Sequence, residues 1–366
     1  MIAETEVYMA TLFNVNYTRN ELLQRVGDIS QIAGVRLSEL ADGFERGVRV
    51  ADVRTSSGLE FTVLADRGLD IGPASFGAAA LAWRSPMTAA GPAFYEPQGL
   101  GWLRGFPGGL LTTCGLTHIG APAEDEGQAL GLHGRASYIP ATHLACGGDW
   151  RGDEYEIWIS GQLREAVLFG ENLALRRRIR ARLGESRLFI EDTVSNEGFA
   201  PTPHMILYHF NFGFPLLDEH AELLTNDVEV RPRDAEAAAG LADHARFQPP
   251  TAGYREQVFY HAPRAGADGY AQVALVNRRF GGGRGLGAYV RFRMAELPRL
   301  VQWKMMGQGA YVCGLEPATN WVEGRAVERA AGRLQYLAPG ETRDYRLEVG
   351  VLASREEIDS FASQIT

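Results

Sequence analysis

Apolar residues along this chain recur mostly at every second position, the period of a strand with one face buried, and seldom at the three-to-four-residue period of a helix. Residues 34–72, GVRLSELADGFERGVRVADVRTSSGLEFTVLADRGLDIG, alternate in short bursts separated by Asp-Gly, Arg-Gly and Ser-Gly pairs. That is the pattern of strands joined by tight turns. The same texture predicts strands over residues 155–159, 187–194, 205–214, 288–294, 299–304 and 345–351. Helical signals lie near the two ends. Thr18 and Glu21 make a capping box ahead of Leu22, Leu23 and Val26, and Ser354 and Glu357 repeat it ahead of Ile358 and Phe361.

Glycine and proline total 43 and 17 of 366 residues, enough for a turn every several residues, as a many-stranded antiparallel protein requires. No fixed-period repeat is present, which argues against a propeller or solenoid. The expectation is one all-β antiparallel domain over residues 1–366, with a short helical extension over about 1–30 and a short helix over about 354–364. Two stretches, residues 87–135 and 231–264, read as long irregular loops of the functional kind. Residues 234–240 and 281–287 are compositionally simple and read as loops.

Hydrophobic residues at 45% supply a core, and no apolar run reaches the roughly 18 residues that span a bilayer. The start of the chain lacks a basic segment followed by an apolar block, so no secretory signal is expected. Cys114, Cys146 and Cys313 are odd in number and without CxxC spacing, which points to reduced thiols and a cytoplasmic setting. A net charge of −9 disfavours nucleic acid as a partner. Arg176, Arg178, Arg180 and Arg182 would share one face of a strand, most simply a solvated outer face.

Candidate chemistry begins with residues 194–217. In a strand over 205–214, Leu207, His209 and Asn211 share one face while Tyr208, Phe210 and Phe212 share the other. An imidazole and an amide then point the same way, into a polar pocket or into solvent. A hydrogen-bonded structural histidine is one reading of His209, and a catalytic group the other. His118, His133 and Glu316 are the polar residues grouped with it. Zinc, cupin, Walker and GxSxG patterns are absent, so no metal or cofactor is expected. Trp102 and Phe106 offer either a stacking surface for a sugar or ordinary packing.

Three segments resemble the aldose 1-epimerase (galactose mutarotase-like) family: Tyr208 to Gly213 (YHFNFG), Gly131-Leu132-His133-Gly134, and Tyr311-Val312-Cys313-Gly314-Leu315-Glu316-Pro317. Residues 337–342, followed by an alternating strand, look like its closing turn. The Asp-Arg-Gly-Leu-Asp-Ile segment at 66–71 and the Glu-Pro-Ala-Thr-Asn segment at 316–320 resemble an uncharacterised bacterial branch of it. The resemblance implies a β-supersandwich with the site on a concave sheet face, and isomerase activity on a small-molecule sugar without a cofactor.

Interconverting anomers moves a proton off the C1 hydroxyl and puts one on the ring oxygen. In that scheme Glu316 is the base, His209 the acid kept protonated by neighbouring carboxylate charge, and His133 a substrate hydrogen-bonding group. Where better-known mutarotases carry an Asn-Arg-Ile segment, this chain has Cys114-Gly115-Leu116-Thr117-His118, so the usual substrate arginine is missing there. Arg67, Arg84 and His118 are the candidates to replace it. Asn320 could hydrogen-bond sugar hydroxyls or serve a turn. Lys304 could face the pocket or lie solvated at its rim, and Asp243-His244 stands where the resemblance would look for the Asp-His pair that orients sugar hydroxyls in relatives. A carbohydrate-binding protein without turnover, or isomerase or lyase chemistry on an acidic sugar, are the alternatives. No membrane or nucleic-acid partner is expected, and a homodimer is allowed.

Overall fold

The computed structural model describes residues 9–365. Its principal strands in chain order are β1 (Gly34–Glu39), β2 (Arg49–Arg54), β3 (Leu59–Leu64), β4 (Asp70–Phe76), β5 (Leu111–Leu116), β6 (Thr142–Arg151), β7 (Glu154–Ala166), β8 (Asn172–Arg182) and β9 (Arg187–Asn196). They continue with β10 (Thr202–Gly213), β11 (Glu222–Leu224), β12 (Asp227–Pro232), β13 (Gln257–Pro263), β14 (Tyr270–Asn277), β15 (Leu286–Arg293), β16 (Arg299–Met306), β17 (Tyr311–Ala318) and β18 (Thr342–Leu352).

Two large antiparallel sheets form, so the all-β expectation holds. One sheet has eight strands in the order β6-β7-β8-β9-β18-β15-β14-β11. The other has twelve, with a path β12-β13-β16-β17-β10-β5-β4-β3-β2-β1 and two short strands, Ala79–Ala80 and Gln335–Leu337, paired beside β4 and β10. The alternation read from the sequence decides what lies between the sheets. Ile206, Tyr208, Phe210 and Phe212 of β10 join Leu173, Leu175 and Ile179 of β8 in one hydrophobic cluster. Successive side chains of a strand point to opposite faces, so Leu207, His209 and Asn211 face outward from the sandwich.

A buried cation ties the sheets together behind that strand. Arg177 of β8 donates from Nε and Nη2 to Asp192 of β9 at 2.9 and 2.6 Å, and from Nη1 to Asp70 of β4 at 3.1 Å. The Tyr208 hydroxyl donates to Asp192 at 2.6 Å, and Asp70 accepts the Thr113 amide and hydroxyl of β5 at 2.9 and 2.6 Å. The even-numbered arginines of β8 point the other way and pair with glutamates: Arg176 with Glu197, Arg178 with Glu156, and Arg180 with Glu191. The basic run is thus a charge-balanced outer face.

Both capping boxes open helices. Thr18 accepts from the Glu21 amide at the head of Arg19–Leu23, and Ser354 accepts from the Glu357 amide at the head of Arg355–Ile365. The extension expected to be helical holds a hairpin, Ala10–Leu12 with Val15–Tyr17, as well as that one helical turn; residues 1–8 of the expected extension lie outside the described residues. Both long stretches read as loops contain strands of the twelve-stranded sheet. β5 lies in the first, and β13 with part of β12 lies in the second. β5 reads LTTCGL, buried at every position, so its alternation is invisible in hydropathy. Residues 234–240, expected as a loop, hold the helix Ala235–Ala239 with Asp234 as its N-cap. No helix of the described residues is long and apolar enough to cross a membrane.

Replacing Arg177 with methionine strands two buried carboxylates, and such losses cost about 3–5 kcal/mol. Exposed pairs of the Arg176 kind are worth at most about 1 kcal/mol. Urea unfolding is expected to show a larger loss for Arg177→Met than for Arg176→Ala by that margin; equal midpoints would refute the bridging role.

Candidate active site

The strand register decides which side chains meet on the outer face of the twelve-stranded sheet. Leu207 pairs with Ala318 and Phe210 with Leu315, so His209 stands directly across from Glu316. Val301 pairs with Glu316, Tyr260 with Val301, Arg231 with Tyr260, and Thr112 with His209. Directly opposed residues in antiparallel strands project to the same face. His209 Nε2 lies 3.2 Å from Glu316 Oε1. The two residues, 107 positions apart in sequence (316 minus 209), are brought together.

Aromatic rings close around the pair. The His209 ring centroid is 5.5 Å from that of Trp303, 5.6 Å from Phe106 and 5.9 Å from His133. Trp102 stacks on Phe106 at 4.5 Å, and Trp83 lies 5.9 Å from Phe106 and 6.0 Å from Trp303. His209 keeps 5% of its surface and Glu316 3%, while Trp83, His133 and Trp303 are only partly buried and form the outer rim. Gly314 makes room beneath. A Cβ there would lie 2.6 Å from Glu316 Oε1 and 3.2 Å from His209 Cε1.

His133 comes in on a turn after the short hairpin of Ala123–Asp125 and Gln128–Leu130. Its amide donates to the Gly120 carbonyl at 2.9 Å and its Nδ1 accepts the Gly120 amide at 3.3 Å. That bond assigns the proton of the neutral ring to Nε2. The following Gly134, at φ +75°, has no room for a side chain: a Cβ would lie 2.4 Å from the His118 carbonyl oxygen.

Burial sets the protonation of the pair. His209 is pushed down to about 4 by desolvation, so its imidazole is neutral near pH 7. Glu316 is raised well above the usual carboxylate range, chiefly by burial and then by the charge of Glu256, with Arg233 opposing. Burial likewise pushes His133 well below the ordinary value. Burial thus disfavours the charged form of both His209 and Glu316. The expectation that neighbouring carboxylate charge keeps His209 protonated is corrected, because desolvation is the largest influence on the imidazole and lowers it.

The other candidates lie apart from the collar. Arg67 is 2% exposed; its Nε, Nη1 and Nη2 donate to the Ser137, Ala90 and Gly105 carbonyls at 2.8, 2.8 and 2.9 Å, and it stacks over Tyr138. Its donors are committed to holding loops in place. Arg84 follows Trp83 and lines an open groove of about 740 Å³ with Asp52, Arg54 and Glu60. His118 is buried against the Gly324–Arg325 turn, where its Nδ1 accepts the Arg325 amide, and burial lowers it to about 4. Asn320 donates to Glu328 and to the Arg333 carbonyl, a structural anchorage.

Lys304 fits neither a pocket-facing nor a rim position. It points inward at 2% exposure, and its Nζ donates to the Asp243 and Arg246 carbonyls at 2.8 and 2.7 Å. His244 sits on that inward side near His261, with ring centroids 5.6 Å apart. What sequence reasoning missed is Trp83, Trp303, Arg233 and Glu256. Alternation on β16 puts Trp303 on the same face as Val301, and only the pairing of Val301 with Glu316 shows which face that is.

The architecture is that of galactose mutarotase-like β-sandwich proteins. A "putative aldose 1-epimerase" from Klebsiella pneumoniae is 28% identical, covering 90% of this chain and 86% of its own, with a TM-score of 0.85. A galactose mutarotase-like protein from Clostridium acetobutylicum has the same fold at 12% identity (88% and 99% covered, TM-score 0.61), as has a galactose 1-epimerase from Lactobacillus acidophilus at 13% (87% and 98%, 0.52). No curated protein matches the sequence. The chain belongs to the family described as Domain of unknown function (DUF4432), whose model it matches over residues 45–351.

His118, His204 and His209 all have folded values of about 4, against about 6.5 for a free imidazole. Between those values the unfolded chain binds protons that the folded chain does not. The contribution of these three groups to stability is therefore full above about pH 6.5 and falls as pH drops toward 4. Imidazole NMR titration is expected to give His209 a midpoint near 4, and a midpoint near 6.5 would contradict the buried neutral pair.

Proposed function

We propose that the protein is a carbohydrate isomerase that interconverts the anomers of an aldose through the His209–Glu316 pair. The observation that carries this reading is the 3.2 Å approach of an imidazole and a carboxyl group across paired strands, beneath rings suited to a sugar face. The 28% identity to the Klebsiella protein supports the same class.

The two oxygens that exchange protons in this reaction are both bonded to C1, so an acid and a base must stand side by side. A neutral pair supplies one of each. The His209 imidazole takes the C1 hydroxyl proton, the bond from C1 to the ring oxygen breaks, and the Glu316 carboxylic acid protonates that oxygen. The open-chain aldehyde turns about its C1–C2 bond. Reclosure on the other carbonyl face returns one proton to Glu316 and transfers the other from His209 to the new C1 oxygen, so the pair resets without external acid or base. This reverses the roles expected from sequence. His133 donates from Nε2 to the developing charge on the reacting oxygens. Access requires Phe106 or Trp303 to swing aside, since the collar covers the pair.

Anomer exchange followed by NMR saturation transfer is expected to slow by about 10²–10⁴-fold in His209→Gln and Glu316→Gln. With the base on His209, kcat/KM should hold at pH 6 and decline as pH falls through about 4. Wild-type rates no faster than those of Glu316→Gln across a broad sugar panel would end the proposal. Gly314→Ala is expected to cost at least about tenfold in rate, through the methyl forced against Glu316, with about 1–3 kcal/mol of stability lost.

A further inference from the structure

Two charged side chains outside the collar are linked to it, Glu256 directly through Trp303 and Arg233 through Glu256. The Arg233 amide donates to the Val258 carbonyl, carrying the β12–β13 ladder one residue past the end of β12. Val258 pairs with Trp303 and Trp303 with Gly314, so Arg233 enters the row beside the one that carries Glu316. Three interstrand spacings of about 4.8 Å separate its backbone from that of Gly314, roughly 14 Å. Glu256, just before β13, accepts the Trp303 indole N–H at 2.8 Å and an Arg233 Nη2 donor at 3.2 Å.

The same Trp303 ring stands 5.5 Å from His209. Arg233 and Glu256 keep 27% and 50% of their side-chain surface, so a ligand at the collar can reach both from solvent. The connection that carries them is anchored from below by Lys304, whose ammonium holds the Asp243 and Arg246 carbonyls. Their charges are felt at the pair, since Glu256 pushes Glu316 up and Arg233 opposes it.

We propose that Arg233 and Glu256 are specificity-determining residues that grip hydroxyls at the end of the sugar remote from C1 and turn away sugars bearing a carboxylate or phosphate. This rests on the isomerase reading above. Glu256 is an acceptor and Arg233 a donor, a combination that matches two neighbouring hydroxyls. Arg233 is already shared between Glu256 and Asp234, the latter at 3.0 Å from its Nε. An anionic sugar would bring a third negative group to one cation, whereas a neutral sugar adds none.

The test measures binding by tryptophan fluorescence and calorimetry, without turnover, for D-glucose, D-galactose, D-mannose, L-fucose, L-rhamnose and D-xylose and for the uronates of the three D-hexoses. Wild type, Glu256→Gln and Arg233→Gln are compared after circular dichroism shows each folded. Wild type is expected to bind a neutral hexose at least tenfold tighter than its uronate, Glu256→Gln to narrow that ratio at least threefold, and Arg233→Gln to weaken the neutral sugar at least tenfold. A preference for uronates, or affinities and ratios unchanged in both variants, overturns the specificity proposal while leaving the isomerase reading intact. Binding of no sugar by wild type overturns both.

Discussion

A single buried guanidinium, that of Arg177, sits where the two sheets and the back of the candidate site meet. It ion-pairs with both Asp192 and Asp70, and through them it fixes Tyr208 and Thr113. Tyr208 is the inward neighbour of His209, and Thr113 pairs with Tyr208 across β10 and β5. A one-residue slip of β10 would carry His209 to the core face. Charges buried this deeply tolerate only one arrangement, since any other leaves a carboxylate unpaired. The outward position of the imidazole therefore follows from polar bonds made on the opposite side of the same strand. Arg67, equally buried, holds the carbonyls of Ala90, Gly105 and Ser137. Gly105 directly precedes Phe106, so the collar is held by the same segment that reaches Arg177 through Asp70.

Burial gives the candidate site its chemistry. In water an imidazole and a carboxyl group would exchange charge and form an ion pair; surrounded by rings, both settle into their neutral forms. The imidazole and the carboxyl group stand within 3.2 Å of each other. The rings that bury them also cover them, leaving 5% of His209 and 3% of Glu316 exposed.

Much of this was legible in the sequence where a local rule applied. Period-2 alternation placed His209 and Asn211 on one face and Tyr208, Phe210 and Phe212 on the other, as observed. The capping boxes at Thr18 and Ser354 opened helices. What failed depended on long-range pairing. Lys304 lies inward because β16 is in register with β17 such that Lys304 pairs with Cys313, and nothing within residues 299–306 reveals which parity faces the core. Arg67 looked available for substrate because its three carbonyl partners lie 23 to 70 residues away. β5 was hidden inside a glycine-rich stretch because burial on both faces removes alternation. The downward push on His209 was beyond reach as well, since it comes from burial among residues distant in sequence.

The account stands on His209 and Glu316 acting as one unit. A double-mutant cycle on the anomer exchange rate, with His209→Gln, Glu316→Gln and both together, measures that directly. The account predicts that the double variant is no slower than the slower single variant, because losing either partner already disables the proton exchange. Rate losses that multiply, each residue contributing independently, would contradict it.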